Sequence, residues 1–174
     1  MHILLILLGI AGGIGIWLWR AHMAARAAGD LVEAADDIRA ALRRFGYRRK
    51  ANTSPLDGLE DSRLAAAGIL AAFANMDGGI GREEIAAIAE ECRRTFKTDT
   101  AEAEQLGAYG RWLAQQSANM DEVVRRLARN LETKLTQEEK SQLMEMIERV
   151  ASINGGAMTD AQRYTMMQLA RQLG

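Results

Sequence analysis

Along the chain, hydrophobic and polar positions change rhythm twice. From Ile3 to Trp19 there are seventeen uncharged, mostly apolar residues, "ILLILLGIAGGIGIWLW". As a helix this run reaches roughly 26 Å, enough to cross a thin bilayer. From Arg20 to Phe45 the apolar positions thin to a stripe. Leu31, Ala35, Ile38, Leu42 and Phe45 recur there at the three- and four-residue steps of an amphipathic helix. After a linker, "GYRRKANTSPLDG", the residues from Leu64 to Met76 are apolar on nearly every face, interrupted only by Asn75. Thirteen residues are too few to span a bilayer, so the pattern predicts the enclosed central helix of a bundle.

The rest of the chain keeps a helical period. Residues 82–96 bring Ile85, Ile88, Ala89, Cys92 and Phe96 to one side, and 100–116 bring Leu106, Tyr109 and Leu113. Over 119–135 the stripe is Met120, Val123, Val124, Leu127 and Leu131. Thr136 with Glu139, and Thr159 with Gln162, read as capping boxes that open helices over 137–153 and 160–173. Ser54, with Pro55 at the first helical position and Asp57 three residues after the cap, predicts that the first helix of this region starts there. No stretch alternates as a strand would. The expected fold is all-α, an N-terminal transmembrane helix followed by a helical bundle. The expected parts are a transmembrane anchor at 1–20, an amphipathic, basic helix and linker at 21–53, and a helical domain at 54–174.

Charge adds an orientation. Only His2 precedes the apolar run while Arg20 and Arg26 follow it, so an uncleaved anchor fits better than a signal peptide, which needs basic residues first. Those arginines predict a single-pass protein of the inner (cytoplasmic) membrane with its C-terminal domain in the cytoplasm, and Trp17 and Trp19 sit where interfacial aromatics belong. Gly9 with Gly13, and Ala11 with Gly15, make a strip of small residues, suited to a homodimer through the anchor or to another protein's helix. Arg39, Arg43, Arg44, Arg48, Arg49 and Lys50 form a basic cluster beyond it, read either as a lipid-facing patch or as a solvated helix end. Residues 51–174 carry fourteen Lys/Arg against nineteen Asp/Glu, which argues against nucleic acid as a partner. The protein partner itself is not named by the sequence.

Candidate chemistry is sparse. The stretch "FANMDGGIGREE" resembles the second half of an EF-hand loop, with Asp77, Gly78, Ile80 and Glu84 in register. As metal ligands the candidates are Asn75, Asp77 and Glu84. Phe73 occupies the first ligand place, which leaves too few oxygens for the six to eight that calcium takes. A structural reading uses every residue: Gly78 and Gly79 supply turn conformations, Asp77 bonds loop amides, Ile80 plugs the core, and Glu84 caps the helix that opens near Gly81. No cofactor is expected. Cys92 lies on an apolar face, and both histidines, His2 and His22, flank the apolar run, so no Ser-His-Asp or Cys-His arrangement is expected in the domain and an enzyme is the least favoured class. Trp112 falls beside its helix's apolar stripe, as a partner anchor or as a covered surface residue. Met144, Met146, Met158, Met166 and Met167 suit core filling or an adaptable groove.

"NMDGGIGREE" also has an echo in "SINGGAMTDAQ", residues 152–162, each lying between an apolar helix and the next helix start. An apolar helix ending in A-x-x-D-G-x-I-x-x-E-E, with a second such unit near the C-terminus, resembles the TerB-like domain of tellurite-resistance proteins. That domain also occurs in membrane-anchored DjlA-type co-chaperones, which share a Gly-rich N-terminal membrane segment. The resemblance implies that 54–174 is a TerB-like helical domain serving envelope or metal stress as a scaffold or adaptor. A divalent-metal sensor and an accessory subunit of a larger membrane complex are the alternatives. DjlA-type co-chaperones end in a J domain with a His-Pro-Asp motif. No such motif occurs here, so stimulation of a chaperone ATPase is not implied.

Overall fold

Six helices follow one another in the computed structural model, which describes residues 54–76, 78–153 and 156–174. They are α1 (Ser62–Asn75), α2 (Arg82–Phe96), α3 (Thr100–Ala114), α4 (Met120–Arg129), α5 (Gln137–Ala151) and α6 (Asp160–Leu173). No strand occurs among the described residues. The proposed anchor at 1–20 with its strip Gly9, Ala11, Gly13 and Gly15, the region 21–53, and Asp77 lie outside them.

The all-round apolar sequence of α1 becomes an all-round buried helix. Every residue from Leu64 to Ala74 is buried, and α2, α3, α4 and α5 pack around it. Small side chains make this enclosure tight. A Cβ at Gly110 of α3 would lie 2.5 Å from the Ala67 carbonyl oxygen, so the two helices cross almost backbone to backbone. Phe73, Tyr109, Leu106, Leu113, Leu127 and Ile147 are fully buried in the core cluster that includes Ala67.

The start of α1 corrects the sequence expectation. The chain turns at 54–57, with Asp57 N donating to Ser54 O at 2.9 Å, and Gly58 takes φ +71°. The Ser54 hydroxyl reaches only Leu56 N, at 3.4 Å, and not the third amide that an N-cap serves. The helix instead begins at Ser62, where Asp61 accepts from Arg63 N at 2.9 Å. The cause is long-range. Leu56 and Leu59 are 1% and 2% exposed, and the Asn130 amide clips them down, accepting from Leu59 N at 3.0 Å and donating to Leu56 O at 2.9 Å.

The same clip shortens α4, expected over 119–135. It ends at Arg129, and residues 130–134 form turns that still bury Leu131. The capping boxes hold at both of their sites. Glu139 N and Gln162 N donate to the hydroxyls of Thr136 and Thr159 at 3.3 and 3.2 Å, and both acidic or amide partners reach back at 2.8 Å.

Candidate functional site

The end of α1 and the start of α6 meet through one side chain. Gln162 is 1% exposed, and its Oε1 completes the α6 cap while its Nε2 donates to the Phe73 carbonyl at 3.0 Å. Phe73 lies in the last turn of α1, where carbonyls lack the usual helical donor, and its oxygen also accepts from Met76 N at 3.3 Å. One amide thus closes the end of α1 and the start of α6 together.

In the first loop Gly78 and Gly79 have φ of +133° and +116°, conformations that L side chains rarely adopt. The Glu84 carboxylate accepts from Gly81 N at 2.8 Å, and Ile80 packs half-buried against the core. The Asn75 amide donates to Met120 Sδ at 3.3 Å. Among the described residues no group of three or more His, Cys, Asp or Glu is arranged to hold a metal ion.

Cys92 is fully buried on α2, and burial pushes its thiol up to about 12. A thiol so held is almost entirely protonated near neutral pH and makes a poor nucleophile. Trp112 is half-buried with its ring 5.1 Å from that of Tyr109, so it covers the core edge. Met146 is buried and Met144, Met158 and Met166 pack partly buried against the core, which leaves Met167 as the exposed one of the five.

Two surface features escaped the sequence. A cavity of about 280 Å³ lies where α1, α2 and α5 meet, lined by Arg63, Phe96, Leu143 and Met146 among others. A larger groove, about 540 Å³, runs between α4 and α6 past Val124, Arg125, Tyr164, Leu169 and Arg171. Its acids are engaged internally: Asp121 accepts the Thr165 hydroxyl, and Glu122 accepts from Ser117 and Arg126 at 3.1 and 3.5 Å. Arg125 and Arg171 make no ion pair with the described residues.

A bundle closed around an apolar first helix, whose end is tied to the start of the last helix, matches the family described as tellurite resistance protein TerB over residues 63–173. The chain belongs to the TerB family. The match begins at the second residue of α1 and ends at the last of α6, so the TerB domain comprises all six helices. No curated protein and no solved structure gives a significant match. Among the described residues, no helix of the TerB domain is long and apolar enough to cross a membrane.

Proposed function

We propose that this chain is a membrane-anchored interaction module of the TerB and DjlA N-terminal type, whose TerB domain faces the cytoplasm as a scaffold or adaptor in envelope or metal stress. The observation that carries the module half of this reading is the enclosure of α1. Because the other helices bury every residue from Leu64 to Ala74, the TerB domain covers its own most apolar segment and offers a charged exterior to partners. The anchor half is supported by the uncharged run at 3–19 and by Arg20 and Arg26 behind it.

Membrane fractionation tests the placement. Expressed in a bacterial host with a C-terminal epitope, the full chain should stay in the pellet after alkaline carbonate extraction. The epitope should resist protease in intact spheroplasts and be digested once they are lysed. Release by carbonate would remove the anchor, and digestion in intact spheroplasts would reverse the orientation. Retrieval from mild detergent, followed by mass spectrometry, then separates an adaptor with exchangeable partners from a fixed subunit of one complex.

A further inference from the structure

Helix α6 buries Gln162, Thr165, Leu169 and Leu173 and turns its opposite side to solvent. Tyr164 and Met167 on that side are 56% and 53% exposed, the two most exposed large hydrophobic residues described. Asp160 and Arg171 flank them. The order Asp160, Tyr164, Met167, Arg171 has steps of four, three and four residues. At about 100° per residue, these positions fall within roughly 60° of arc, so they form one stripe.

That stripe is symmetric in a particular way. A two-fold axis passing between positions 165 and 166, perpendicular to the helix, superposes position 160 of one chain on 171 of another, and 164 on 167. An antiparallel pair of α6 helices would then set acid against base at both ends and aromatic against thioether in the middle. We propose that the exposed face of α6 is the contact surface for a second copy of this chain.

Charge complementarity selects this occupant. Arg171 makes no ion pair with the described residues, and Asp160 meets only Arg163 of its own helix at a fully solvated position. A second copy gives Arg171 a partner and Asp160 a further one, two intermolecular ion pairs in each dimer. One helix face falls short of the roughly 1,200 Å² of ordinary stable interfaces. Pairing is therefore weak in dilute solution and grows where tethering raises the effective concentration. The contact does not depend on the anchor's glycine strip.

Disulfide trapping tests the register. Two variants of the full chain, Asp160→Cys and Arg171→Cys, are purified in mild detergent and oxidised separately and as a mixture. Facing Cα atoms on helices about 9 Å apart approach to about 5 Å, within disulfide reach, whereas the same position on two antiparallel chains lies roughly 16 Å apart. The mixture should give a cross-linked heterodimer, which retains one Asp160 to Arg171 pair at its far end. Each variant alone should give at least fivefold less. Tyr164→Asp introduced into both chains should abolish the product, while the buried Cys92 takes no part. Equal cross-linking in single and mixed samples would show a contact made elsewhere, such as through the anchor, and would overturn the proposal. No product from the mixture would overturn it too, leaving the face to a different protein.

Discussion

Gly110→Val is expected to destabilise the TerB domain by about 3 kcal/mol, enough to raise its unfolded population roughly a hundredfold. The first added carbon already meets the Ala67 carbonyl oxygen at 2.5 Å and its carbon at 2.7 Å. Backbone cannot rotate away as a side chain can, and α1 cannot retreat because its other faces are packed. Gly68→Ala makes the informative comparison. There the new carbon meets the ends of Leu127 and Leu113 at 2.6 and 3.0 Å, groups that can change rotamer, so about 1 kcal/mol is expected. Urea unfolding followed by circular dichroism gives both values. Equal costs would show that α1 and α3 do not cross as closely as described.

Gln162→Leu is expected to cost about 2 kcal/mol, although the side chain is buried and leucine is similar in size. It removes one of the two donors to the Phe73 carbonyl, the other being Met76 N at 3.3 Å, and leaves Thr159 N without the acceptor that completes the α6 capping box. Gln162→Glu separates the two roles. A carboxylate still accepts from Thr159 but sets a second acceptor against the Phe73 carbonyl. Protonation restores the donor, so this variant's deficit relative to wild type should shrink as pH falls toward about 4, the ordinary range of a glutamate. The sign follows from burial beside an acceptor, which favours the neutral acid in the folded state. A deficit that is the same at pH 7 and pH 4 would mean that the Phe73 bond contributes little.

What the sequence revealed and what it hid follow a physical line. The enclosure of α1 was legible because thirteen nearly uninterrupted apolar residues leave no polar face. The caps at Thr136 and Thr159 were legible because both partners lie within four residues. Asp61 was missed as the cap of α1 because Ser54, Pro55 and Asp57 make the stronger local signal. Only the Asn130 clip, more than seventy residues away in sequence, overrides it. Gln162 was half legible: its cap could be read, but its bond to Phe73, across 89 residues, could not. The residues of the α6 stripe stand in plain order, yet only packing tells which side of that helix faces water.

The enclosure of α1 is tested most directly by making residues 54–174 alone. The fragment should be soluble without detergent, strongly helical, and unfold in urea in one transition. Its only tryptophan, Trp112, lies 5.1 Å from the buried Tyr109 ring and so reports on the core, while circular dichroism reports on the helices. Coincident midpoints from the two signals are the predicted result. Aggregation relieved only by detergent, or a gradual loss of helix with no shared midpoint, would contradict it.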